Sequence, residues 1–86
     1  VLKVLVSRKE SIRLAAITPS YLRALIANGR LIEEDALIDG VVRRGVTLES
    51  LAAYFRWSPR VVTEVLIMHR VNPHSSGYHY LTGPDG

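Results

Sequence analysis

His69, His74 and His79 recur at five-residue intervals, and regularly spaced imidazoles raise the question of metal chemistry first. A five-residue step does not stack ligands on one helix face, and Pro73 interrupts the run. Zinc would still need a carboxylate or a further ligand from a distant part of the chain. The three are therefore read as surface histidines or histidines of a β-hairpin wing. The acidic cluster Glu33, Glu34, Asp35 and Asp39 could bind a cation or act as an acid/base pair. A helix start whose dipole favours anions, with a solvated face, explains it more simply. The sequence has no cysteine, so thiolate nucleophiles, thiolate zinc sites and disulfides drop out together. There is no Gly-rich phosphate loop, nucleophile elbow or paired catalytic carboxylate. The expectation is a protein that is not an enzyme, with no metal and no cofactor.

The other chemistry available is electrostatic. The 86 residues carry 11 Lys+Arg against 8 Asp+Glu, a net charge of +3, which permits a nucleic-acid partner without demanding one. The distribution says more than the average. From Val41 to Gly83 the chain holds Arg43, Arg44, Arg56, Arg60 and Arg70, against only Glu49 and Glu64. A chain of this length is expected to form one domain, with a small core, over residues 1–81 and a frayed tail over 82–86. No segment reaches the roughly 18 apolar residues needed to cross a bilayer. The opening apolar run Val1–Val6 is too short for a signal segment and meets Arg8-Lys9-Glu10. A soluble, cytoplasmic protein is expected.

Caps and breakers place these residues on elements. Ser7-Arg8-Lys9-Glu10 has the form of a capping box and predicts a helix over about Arg8 to Ile17. Thr18-Pro19 opens a second helix, which Asn28-Gly29 closes. A third is expected from about Ile32 to Gly45, with Glu33, Glu34 and Asp35 in its first turn and Arg43 and Arg44 in its last. Thr47 caps a fourth, in which Leu48, Leu51, Ala52 and Phe55 share one face. Ser58-Pro59 opens a fifth, running to about Arg70. Beyond Asn72-Pro73, Tyr78 to Leu81 is a short β-prone stretch. The expected fold is mainly α, a compact bundle of about five helices. Leu14-Ala15-Ala16 before Thr18-Pro19 echoes Leu51-Ala52-Ala53 before Ser58-Pro59. The spacers differ by three residues, and shared capping chemistry accounts for the echo more simply than duplication.

The stretch Thr47 to Ile67, TLESLAAYFRWSPRVVTEVLI, resembles the helix-turn-helix motif of bacterial and phage DNA-binding regulators. Ala52 is small enough for two helices to cross closely, Trp57 sits where such motifs place an apolar plug, and Val62 and Val65 face back on the first helix. Ser58, Pro59, Arg60, Thr63, Glu64 and Ile67 are left outward. The resemblance implies that the second helix enters the major groove. It makes Arg60 a guanine or phosphate ligand, Thr63 a base or phosphate contact, and Glu64 an acceptor from cytosine. Ser58 and the helix start become phosphate ligands, and Arg56 and Arg70 flank them. Arg56 departs from the motif, because many members place Gly there in a left-handed turn. Either the turn is a residue longer or Arg56 takes another conformation.

Two further readings stay open. Val71 to Leu81 fits the β-hairpin of a winged member, with His74 and Ser75 as donors to the DNA backbone, and equally a loop packing Tyr78 and Tyr80 on the helices. Thr18 to Leu31 is similar to the small winged domains of phage excisionases, which would turn Arg23 and Arg30 towards DNA. It lacks the preceding half of a motif, so a scaffold or dimer helix is preferred. The function expected is sequence-specific binding of double-stranded DNA by a regulator, a phage repressor or a recombination accessory factor, acting as a homodimer. The competing reading is a small module that docks on a protein partner through the apolar residues of the last helix.

Overall fold

Leu2–Val6 is apolar at every position but Lys3, the pattern of a strand covered on both faces. In the computed structural model, which describes residues 2–82, this run is strand β1, with Leu5 and Val6 fully buried. Helices α1 (Arg8–Ala15) and α2 (Pro19–Ala27) follow, then strands β2 (Glu33–Ile38) and β3 (Val41–Thr47). Helices α3 (Leu48–Phe55) and α4 (Pro59–Met68) and strand β4 (Gly77–Leu81) complete the chain. The four strands form one mixed sheet in the order β2-β3-β1-β4. The pairs β2–β3 and β1–β3 are antiparallel, and β1–β4 is parallel.

The mainly α bundle of five helices is therefore corrected to an α/β fold with four helices among the described residues. The third expected helix, Ile32 to Gly45, is the β2–β3 hairpin. Its acids and arginines imitate the charge pattern of a helix dipole, but here they are cross-strand partners: Asp35 sits opposite Arg44, whose Nε lies 2.8 Å from its carboxylate. Asp39 and Gly40 both have positive φ, 53° and 80°, as the tight turn of a two-residue hairpin requires. An Asp-Gly pair flanked by Leu37-Ile38 and Val41-Val42 is a strong hairpin signal, which the charge pattern masked. The C-terminal wing is also overturned. β4 joins the sheet edge beside β1 in parallel, Val4 opposite His79 and Val6 opposite Leu81, and forms no hairpin.

The helix starts agree closely with the sequence. Ser7, Thr18, Thr47 and Ser58 each accept a hydrogen bond from the backbone N–H three residues on. The first box is only half formed. The Glu10 side chain turns inward instead of reaching back, and the Ser7 N–H donates to the Leu81 carbonyl at 2.9 Å.

The echo within the chain has a structural counterpart at a spacing of forty residues, set by the caps rather than by the Leu-Ala-Ala runs. Ser7 matches Thr47, Thr18-Pro19 matches Ser58-Pro59, and Leu25 matches Val65. Ala16 and Arg56 each end the first helix of a pair in the left-handed region, with φ/ψ of 55°/47° and 56°/43°. The next amide returns to the same place in each helix, Ile17 to Ile12 and Trp57 to Ala52. Val6 and Val46 are also forty apart, and they pair directly across β1 and β3. That pair marks a local twofold relation between the two halves.

The core lies between the helices and one face of the sheet. Val4, Val6, Val46 and Leu81 meet Leu22 and Leu25 of α2, Leu48 and Leu51 of α3, and Val65 and Leu66 of α4. Each fully buried leucine contributes about 1.5–3 kcal/mol. Leu31 and Val71, which follow α2 and α4, belong to the same buried cluster.

Candidate nucleic-acid interface

The turn between α3 and α4 is built by three residues in sequence. Arg56 caps α3 in the left-handed conformation, so the turn is not lengthened, and an arginine occupies the place that often holds glycine. Trp57 is half-buried against the core and stacks on Phe55 with ring centroids 6.1 Å apart, which pins the turn. Ser58 caps α4 through its Oγ, 3.3 Å from the Val61 amide, and Pro59 occupies the first turn. Val65 and Leu66 are buried and Val62 packs on them.

This leaves Arg56, Ser58, Arg60 and Glu64 exposed on the turn and α4, with Thr63 half-buried beside them. The Arg60 side chain is 88% accessible and its Nε lies 3.4 Å from the Glu64 carboxylate. At that exposure the pair contributes little to stability, and both groups remain available to a partner. Arg70 stands just beyond the end of α4, exposed and at positive φ. The same helix also exposes apolar surface, Ile67 at 60% and Met68 at 59%.

The other expected contacts lie apart from this helix face. His74 and Ser75 belong to the turn before β4, tied down by the Asn72 side chain and carbonyl, and Ser75 Oγ is 3.3 Å from His79 Nε2. Arg43 and Arg44 are on β3. Arg43 lies over the Tyr80 ring at 5.5 Å, and Arg44 is held by Asp35.

The sequence reading of His69 and of the acidic cluster is corrected. His69 is not a surface histidine: its side chain is only 10% accessible where α4 ends, with Nε2 on the Glu10 carboxylate and Nδ1 2.7 Å from the Val65 carbonyl. Glu10 is fully buried and also receives two hydrogen bonds from Arg13, at 2.6 and 2.5 Å. The Arg13 guanidinium holds the Glu10 carboxyl below its ordinary value. Burial opposes that shift, and the His69 contact adds to it. Glu33 is likewise no free surface acid. Its side chain is only 8% accessible and takes two hydrogen bonds from Arg8, at 2.7 and 2.9 Å, which lower its pKa. Among the described residues, no group of three or more His, Cys, Asp or Glu side chains is placed to hold a metal ion.

Sequence reasoning set aside α1–α2 because the first half of a motif was missing. The half is present: α1, the left-handed Ala16 and the Thr18 cap repeat the build of α3–turn–α4. The cap register contained that signal. No family model, curated protein or solved structure matches the chain. Among the described residues, no helix is long and apolar enough to cross a membrane.

Proposed function

We propose that the protein binds double-stranded DNA through the α3–turn–α4 unit, with α4 as the helix that enters the major groove. The supporting observation is the left-handed Arg56 turn leading into a capped helix whose outward face is free of the core. In that position Arg60 spans guanine O6 and N7 or a phosphate. Thr63 and Glu64 contact base edges, and Arg56, Ser58 and Arg70 hold the backbone. His74 and Ser75 are outlying backbone contacts. The role is non-catalytic: a cytoplasmic regulator or recombination accessory factor that occupies its site, pairing with a second copy at a symmetric operator.

The test is binding to pooled genomic DNA fragments at about 50 and 200 mM salt, with Arg60→Ala in parallel. The expected result is selective, salt-steep binding that loses about 1–3 kcal/mol and part of its selectivity in the variant. Absence of binding at the lower salt overturns the function. Unchanged binding by the variant overturns the placement of Arg60. The exposed Ile67 and Met68 favour a second reading, docking of α4 on a protein partner. In that case Ile67→Ser with Met68→Ser abolishes partner binding and leaves any DNA binding as it was.

A further inference from the structure

We propose that the α1–α2 unit is a second DNA-contacting unit, with Arg23 and Arg30 binding backbone phosphates. The proposal rests on the DNA-binding reading of α3–α4 and extends it to the other half of the repeat. Three observations carry it.

The first is geometric equivalence. The two units share the left-handed turn residue, the cap with its proline, and the amide that closes the turn. The cap bonds agree in length: the Tyr21 amide lies 3.1 Å from Thr18 Oγ1, and the Val61 amide 3.3 Å from Ser58 Oγ. The second is the placement of arginine. Arg30 stands three residues beyond α2 and Arg70 two residues beyond α4. Both are exposed and each is followed by a buried aliphatic residue, Leu31 or Val71. The phosphate role proposed for Arg70 therefore has its counterpart in Arg30.

The third observation is charge. From Ser11 to Ile32 the chain contains no acid, and its cations are Arg13, Arg23 and Arg30. Arg13 is engaged by Glu10. Arg23 has no carboxylate partner among the described residues; its one side-chain contact is Ser20 Oγ at 3.4 Å. On α4, in contrast, Glu64 faces Arg60 and offsets it. Of the two equivalent helices, α2 presents the more strongly cationic surface, and a polyanion is the occupant its charge suits. Tyr21 and Tyr54, whose hydroxyls are 3.1 Å apart, link α2 to α3 at the surface, so the two units meet there.

The experiment measures anisotropy of a fluorescein-labelled mixed-sequence duplex from about 50 to 200 mM salt, for the unaltered chain, Arg23→Ala with Arg30→Ala, Arg23→Lys with Arg30→Lys, and Arg60→Ala. Two lost phosphate contacts lower the slope of log K against log salt by about 1.8. The lysine pair is expected to keep the slope of the unaltered chain, since a phosphate contact needs the charge and not the guanidinium fork. Both arginines are exposed, and circular dichroism checks that the fold persists in each variant. If the chain and the lysine pair bind while the alanine pair keeps the same slope, the second unit is overturned and the α3–α4 reading stands. If the unaltered chain binds no duplex at the lower salt, the DNA reading itself has failed. If Arg60→Ala changes nothing while the alanine pair flattens the slope, the proposal holds and α1–α2 becomes the principal contact.

Discussion

Glu10 is the one acidic residue that is fully buried among the described residues, and its partners come from both halves of the repeat: Arg13 from α1, His69 from the end of α4. A buried carboxylate is tolerated only with such partners. Its counterpart forty residues on is Ser50, whose hydroxyl accepts from the Ile32 amide and donates to the Thr47 carbonyl. Glu10 is held below the ordinary value of 4.5 by Arg13, and Glu33 and Asp35 are lowered by Arg8 and Arg44. A lowered native pKa gives stability that is present above the unfolded value and lost as pH falls through the native one. Urea midpoints are therefore expected to hold between about pH 7 and 5 and to fall from about pH 4.5 downward. Glu10→Gln should cost about 3 kcal/mol at neutral pH and make the acid decline shallower. A midpoint in the variant equal to that of the parent contradicts this account of the cluster. None of the cluster was visible in sequence, because Glu10 and His69 lie 59 positions apart and nothing local marks either as buried.

At the scale of elements, the caps and the β-prone stretch that forms β4 were legible, and strands β1, β2 and β3 were not. A cap is a contact over three residues, so Ser7, Thr18, Thr47 and Ser58 announce it locally. Strands β2 and β3 are defined by pairing, and their charges read along the chain resemble a helix with acids first and arginines last. β1 was lost for a different reason: it is central, covered on both faces, and lacks the alternation that marks a half-buried strand. Two substitutions test the elements. Gly45 lies where a Cβ would stand 2.8 Å from the Val6 carbonyl oxygen and 3.1 Å from Leu5 Cβ. Backbone cannot give way as a flexible side chain can, so Gly45→Ala is expected to destabilise by about 1–3 kcal/mol in urea unfolding. Ala16, in contrast, is held at φ 55° where a Cβ is disfavoured. Ala16→Gly is expected to raise stability by up to about 1 kcal/mol. A loss there would mean that the turn gains nothing from relief of its left-handed residue.

For the whole molecule, the candidate site was legible along α3–turn–α4, where Arg56, Ser58, Arg60, Thr63 and Glu64 fall in one local stretch, and illegible wherever it depended on the repeat. The Leu-Ala-Ala runs are three residues out of register with the caps, which hid the equivalence of the two halves. Size then constrains how such a chain meets a duplex. Its largest extent is 31 Å, less than the roughly 34 Å between successive major-groove entries on one side of B-DNA. One chain therefore cannot place α2 and α4 in consecutive turns of the groove. An operator with half-sites one turn apart is expected to bind two chains, and the mass of the complex in sedimentation checks it. A single chain filling both half-sites would contradict the geometry.

The strand order β2-β3-β1-β4 also has a consequence for how the chain folds. β1 precedes both of its neighbours in the chain, since β3 and β4 lie beyond residue 40. The residues up to Gly40 supply the segments of two helices and a strand whose two edges find no partner among them. Nothing in that half closes them, so cooperative structure waits for β3 and β4. Cut between Gly40 and Val41, the chain becomes two pieces that each lack a sheet. Mixed, they should recover the far-ultraviolet spectrum of the intact protein, while either piece alone stays largely unfolded. A first piece that folds alone would show that the sheet is not what makes the helices persist.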